Sequence, residues 1–167
     1  MRVEIESAGV EAIEVKTADL CVKPCTGCMV CRRSLQCVLP DDDAQRVLEL
    51  MKWCDAVVVG APCYWGNIPG ELKVLFDRMV YGMMGESPRG IPVPLHKGKK
   101  AILVSICTTP FPFNFRQTRG VVNALREILK WSGFRIVKSI ERGGTKQRPV
   151  QEKDLERCRK AVRKLLK

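Results

Sequence analysis

Histidine is nearly missing from this chain: His96 is the only one among 167 residues, inside the Gly/Pro-rich stretch from Gly82 to Gly98. A Cys/His or Ser/His/Asp catalytic set therefore has weak support. Aromatics amount to only 6%, and no apolar run approaches the roughly 18 residues that a membrane-spanning helix needs. The first residues, Met1 to Ser7, are charged and lack the apolar segment of a secretory signal, so the expected compartment is cytoplasmic and no membrane partner is expected. Internal repeats and low-complexity segments are also missing, which leaves one ordinary domain as the expected organisation for residues 1–167.

Cysteine, in contrast, is abundant and odd in number, with nine residues. Without a secretion signal, these read as reduced thiols kept for metal or redox chemistry rather than as a disulfide framework. Positive charge is in excess as well, at +11 overall, but it is unevenly placed. Up to Pro88 there are 9 Lys and Arg against 13 Asp and Glu; from Arg89 onward there are 20 against 5. A basic half can steer an acidic protein, a phosphorylated ligand or nucleic acid, or can be a merely solvated surface. No helix-turn-helix, zinc-finger or RNA-binding pattern accompanies it, which disfavours nucleic acid as the partner.

Apolar spacing sets out the elements. Ala12–Lys16 reads as a strand, and a cysteine-rich loop covers about 21–40. Asp41-Asp42-Asp43 then offers an N-cap to a helix with Ala44, Val47, Leu48 and Met51 on one face. The continuous runs Ala56–Ala61 and Ala101–Ile106 suit strands covered on both faces, as in parallel sheets. Leu72, Leu75, Phe76, Met79 and Val80 mark a second helix, in which Lys73 and Asp77 can pair. Val121, Val122, Leu125, Ile128 and Leu129 mark a third helix, stopped near Gly133. Phe134–Ile140 reads as a fourth strand, and Leu155, Cys158, Val162 and Leu165 mark a last, basic helix. Such alternation predicts an α/β protein with an open parallel sheet and helices on both faces, with ligands bound beyond the carboxyl ends of its strands.

Two stretches carry chemistry. Cys25, Cys28, Cys31 and Cys37 have the spacing C-x2-C-x2-C-x5-C. Short spacings let one loop wrap a cubane iron-sulfur cluster, whereas zinc prefers two separated C-x2-C knuckles. Iron-sulfur is therefore favoured over zinc, with an empty thiol loop or a redox disulfide as the remaining readings. Cys21, Cys54, Cys63, Cys107 and Cys158 fall outside the pattern, and most are expected to be small core residues. The second stretch, Ala61-Pro62-Cys63-Tyr64-Trp65-Gly66-Asn67, follows a buried strand and can set backbone N–H groups and a ring beside a planar heterocycle. Packing of its aromatics against a neighbouring subunit is the alternative. Thr108 and Thr109 end the next strand on the same rim. Gly143-Gly144-Thr145 reads as a turn.

Taken together, Pro24–Cys31 with Cys37, Asp41–Asp43, Gly60–Asn67 and Leu72–Arg78 resemble the iron-sulfur flavoproteins, a branch of the flavodoxin-like NAD(P)H-dependent FMN reductases. The resemblance implies a flavodoxin-like fold, non-covalent FMN and a [4Fe-4S] cluster on Cys25, Cys28, Cys31 and Cys37. It also implies flavin contacts from Pro62, Cys63, Tyr64, Trp65, Gly66 and Asn67, with a third loop near Thr108 to Asn114. The implied function is redox exchange between NAD(P)H or a small acidic ferredoxin-like carrier and an acceptor, in a dimer or tetramer whose cluster and flavin lie near a subunit interface. A cluster-free FMN or quinone reductase is the alternative. Family members open with a strand, a Gly-Ser-x-Arg phosphate loop and a helix, whereas Met1–Gly9 resembles only the end of that helix. The expectation is thus a chain short of its first strand and phosphate loop by roughly 20 to 25 residues. Weak FMN binding, or none, follows unless another chain or a preceding segment supplies the loop.

Overall fold

The computed structural model describes residues 1–167. Its centre is a parallel sheet of β1 (Ala56–Pro62), β4 (Lys100–Ile106) and β5 (Arg135–Arg142), ordered β1-β4-β5. Between β1 and β4 lie α4 (Gly70–Met83) and an antiparallel pair, β2 (Met84–Glu86) and β3 (Pro92–Pro94). Helix α3 (Asp43–Trp53) precedes β1, α5 (Asn114–Ser132) joins β4 to β5, and α6 (Glu152–Leu165) follows β5. Two short helices, α1 (Arg2–Glu6) and α2 (Cys31–Ser34), complete the set.

The pleat of β4 explains the two-sided cover. Ala101 and Leu103 point into a core of 19 buried residues built with α3, α4 and α5. Ile102 points the other way, to Ile140 and to Ala161 and Leu165 of α6, a core of 4 buried residues. Ala101, Ile102 and Leu103 are wholly buried, as a continuous apolar run in a parallel sheet requires. Strands β1 and β4 stay in register from Ala56 opposite Lys100 to Pro62 opposite Ile106, so their loops leave the sheet side by side.

Three expectations change. Ala12–Lys16 forms no strand: it joins no ladder, and without a hydrogen-bonding neighbour extended chain is not a strand. Val15, Leu20 and Val22 of this region pack on the main core instead. In α6 the inward face is rotated, with Leu155 exposed and Asp154 buried, because Asp154 pairs with Arg142 at 3.0 Å and accepts from the N–H of Gln151. Among the unassigned cysteines only Cys107 is buried; Cys21 is exposed, and Cys54, Cys63 and Cys158 are half-buried. Trp53 and Trp131, at the ends of α3 and α5, are both exposed.

The Gly/Pro-rich stretch Gly82–Gly98 is tied to the interior at two side chains, Met83, which belongs to the main core, and His96. His96 is 1% exposed, stacked on Phe134 with ring centroids 5.0 Å apart, and its Nε2 lies 3.0 Å from the carbonyl of Gly82. A carbonyl only accepts, so Nε2 carries the proton, while Nδ1 has no partner. Burial holds this imidazole below its ordinary value of 6.5. The unfolded chain therefore takes up a proton that the native state resists. Stability should be complete above 6.5 and fall as pH drops below it, a slope visible in thermal melts between pH 5 and 8 and flattened in His96→Gln.

Candidate functional site

Acidic residues tie down the cysteine loop. Asp42 caps α3: its Oδ1 accepts from the N–H of Ala44 at 2.9 Å, and Gln45 Oε1 accepts from the N–H of Asp42 at 2.9 Å. Its Oδ2 accepts from the N–H of Lys23 at 3.0 Å, while Asp43 Oδ2 accepts from the N–H of Cys21 at 2.8 Å. Both acids foreseen as cap residues thus also clamp the start of the loop.

The loop then curls. Gly27, Met29 and Leu35 all have left-handed backbone, at φ 69°, 62° and 53°. This curvature turns the chain on itself, and Gly27 N–H points at Cys25 Sγ, 3.4 Å away. Cys25, Cys28, Cys31 and Cys37 all line one cleft, closed below by Leu39 and Val80. The sulfurs are near enough to feel one another: burial, then the thiols of Cys37, Cys25 and Cys28, push the Cys31 thiol up. No three of them converge tightly enough to hold a single metal ion, which would need every sulfur at about 2.3 Å from one point. Four thiols that share one cleft with Leu39 and Val80 are, by residue type, the donor set that an iron-sulfur cluster takes.

Behind Cys37 stands a residue not foreseen. Arg78 of α4 is buried, with Nη1 in contact with Cys37 Sγ and Nη2 donating to Asp42 Oδ2 at 2.9 Å and to the carbonyl of Pro40 at 3.1 Å. Arg32, beside the cleft, is more exposed and pairs with Glu86 at 3.0 Å.

The second site lies beyond the carboxyl ends of the strands. Tyr64 and Asn67 exchange backbone hydrogen bonds at 3.0 and 2.9 Å, closing a tight turn over Trp65 and Gly66. Both central residues have positive φ, 53° and 77°, which glycine adopts freely and tryptophan does not. The turn throws the Trp65 ring fully into solvent, and Tyr64 is 59% exposed. Three loops meet here. Cys63 N–H donates to the carbonyl of Ile106 at 2.8 Å, and Gly144 N–H to the carbonyl of Thr109 at 2.7 Å. Gln117 of α5 joins the first two loops: its carbonyl lies 3.3 Å from Cys63 Sγ, and its Oε1 accepts from Thr109 Oγ1 at 2.9 Å. Gly120, one turn along, presses on the carbonyl of Gly66. Neither Gln117 nor Gly120 carries a local sequence signal.

The backbone N–H groups of Trp65, Gly66 and Thr108 have no acceptor in the protein. Free donors and a ring on one rim suit the edge of a planar heterocycle. Pro62 and Asn67 flank this rim, with Asn67 Oδ1 taken by the N–H of Ile68 at 2.8 Å. Phe111 and Phe113 of the loop after β4 and Phe115 at the start of α5 add exposed apolar surface beside the rim. Within one chain the two sites stand apart. The aromatic loop precedes α4, whereas the cysteine cleft lies against Val80, about 15 Å farther along that helix.

A parallel sheet with helices on both faces and loops gathered at one end defines the open α/β class that binds nucleotide-like cofactors at its carboxyl edge. More narrowly, the chain belongs to the flavodoxin-like fold family, whose model matches residues 7–166. It is 48% identical over 59 residues, 35% of its length, to an iron-sulfur flavoprotein of Methanosarcina thermophila, covering 30% of that relative. It is 30% identical over 116 residues to the FMN-dependent NADH:quinone oxidoreductase of Stenotrophomonas maltophilia, covering 67% of this chain and 57% of that protein. The crystal structure of an azoreductase from Bacillus anthracis superposes with a TM-score of 0.70 at 16% identity, over 98% of this chain and 86% of that one. The chain spans between 27% and 40% of the length of the iron-sulfur flavoproteins it matches. No helix is long and apolar enough to cross a membrane.

Proposed function

We propose that this protein is a flavin-dependent oxidoreductase of the iron-sulfur flavoprotein kind, with a [4Fe-4S] cluster on Cys25, Cys28, Cys31 and Cys37 and FMN at the aromatic rim. The observation that carries this reading is the convergence of those four cysteines on one cleft. Bound FMN supplies two-electron chemistry and a bound cluster one-electron chemistry. The chain's own part is to hold and shield. Cys25 to Cys37 provide thiolates, and Gly27 N–H turns toward the first of them. Trp65, Gly66 and Thr108 offer free N–H donors to the flavin, while Pro62, Cys63, Asn67 and Thr109 frame the rim and Tyr64 and Trp65 supply its aromatic wall.

NAD(P)H or a small acidic carrier is the proposed electron source, and the basic excess from Arg89 onward supports attraction of an acidic protein. The distance between the two sites in one chain supports a homo-oligomer, which would let cleft and rim of different copies approach each other. The test is anaerobic purification or reconstitution, with iron, acid-labile sulfide and flavin counted. Cys28→Ser should lose most of the iron while retaining its circular-dichroism spectrum; full iron retention sinks the cluster assignment. A second reading, a cluster-free NAD(P)H-dependent FMN or quinone reductase, is favoured by the likeness to the quinone oxidoreductase. Flavin with no iron in the wild type would select it.

A further inference from the structure

We propose that Arg78 is a positioning residue of the cysteine site, donating to Cys37 Sγ and setting the reduction potential of the cluster that those cysteines hold. The inference rests on the cluster reading above. Three observations carry it. First, the guanidinium is wholly buried, a costly place for a cation that needs a strong local reason. Secondly, its fork is divided: Nη2 serves Asp42 and the carbonyl of Pro40, leaving Nη1 against Cys37 Sγ. Thirdly, Asp42 and Pro40 flank the last cysteine on its C-terminal side, so the same side chain fixes both the sulfur and the backbone leading away from it. A structural ion pair with Asp42 alone would not require the second arm to face a thiol.

The physical effect has a definite sign. Four thiolates around an iron-sulfur body make a net-negative group, and reduction adds a further negative charge. A buried N–H donor and positive charge beside one ligand sulfur favour the reduced form and raise the potential. Arg32 contributes less, being half exposed and already paired with Glu86. The rigid guanidinium fork is essential, because a lysine ammonium is a single point that cannot serve Asp42, Pro40 and Cys37 at their separate positions.

The test compares wild type with Arg78→Lys, both reconstituted with ferrous iron and sulfide under argon. The variant keeps the charge opposite Asp42 but loses the arm to sulfur. Its reduction potential, from an EPR-monitored titration, should lie below that of wild type. Iron retention against a chelator should fall by about 10-fold to 100-fold, the usual scale for removing a partner of a metal ligand. Equal potential and equal retention at equal iron content overturn the proposal. Should Arg78→Lys fail to fold, the neutral double variant Arg78→Gln with Asp42→Asn takes its place, and again a lowered potential supports the proposal and an unchanged one refutes it. If neither variant folds, Arg78 serves the fold alone and the proposal is wrong. A wild type that takes up no iron overturns the cluster reading, and this inference with it; a loaded wild type with indifferent variants overturns this inference only.

Discussion

Asp42→Ala should be strongly destabilising. The carboxylate is only 10% exposed and has three separate duties: it caps α3, accepts from the N–H of Lys23, and pairs with the guanidinium of Arg78. Removing it leaves Arg78 buried without its counter-charge, a loss of about 3 to 5 kcal/mol when one partner of a buried pair is deleted. The missing cap adds about 1 kcal/mol. Urea denaturation should show the midpoint falling with an unchanged slope, and a midpoint equal to wild type would show that the pair adds nothing. Acid has a related effect. Burial pushes this carboxyl up, but the N–H groups of Ala44 and Lys23 and the guanidinium of Arg78 outweigh that and hold it below its ordinary 3.8. Its contribution is therefore full above 3.8 and lost as pH falls below it, well clear of the window governed by His96.

Gly120→Ala should weaken flavin binding while leaving the cysteine cleft intact. A Cβ on Gly120 would lie 1.8 Å from the carbonyl oxygen of Gly66 and 2.9 Å from its carbonyl carbon. Backbone cannot yield like the tip of a side chain, so either the Trp65–Gly66 turn lifts away from α5 or the helix shifts. Overpacking of this kind costs about 1 to 3 kcal/mol. Displacing the turn also carries off the N–H groups of Trp65 and Gly66, and FMN affinity should fall by about tenfold or more, since each 1.4 kcal/mol of lost contact is a factor of ten. Titration of the apo-protein with FMN measures it. Affinity equal to wild type would remove the turn from the flavin site, whereas iron uptake should be unaffected.

The strands β1 and β4 were readable because their runs are apolar on both faces, and two-sided burial leaves that mark in any order of residues. The gathering of Cys25, Cys28, Cys31 and Cys37 at one cleft was readable because one loop holds them all. Ala12–Lys16 misled for the opposite reason: its alternation is local, but a strand also needs a neighbour, and pairing is written nowhere in five residues. The contact between Arg78 and Cys37 spans 41 positions and depends on how α4 turns against α3. Gly120 and Gln117 matter only through the register of α5 on two loops. His96 sits in a Gly/Pro-rich stretch whose composition carries no mark of burial, and only the packing of β5 stacks its ring on Phe134 inside the protein. What escaped the sequence was, in each case, a relation between elements.

The placement of tryptophan has a practical meaning. Trp53 and Trp131 sit just before β1 and β5, at the amino edge of the sheet, whereas Trp65 stands just past the end of β1. A seven-residue strand separates the two edges by roughly 23 Å. All three indoles face water, so their resting emission is that of solvated indole, and contact quenching by a ring stacked at the carboxyl rim would darken Trp65 alone. The chain thus carries an intrinsic fluorophore at one pole, with two reference fluorophores at the other.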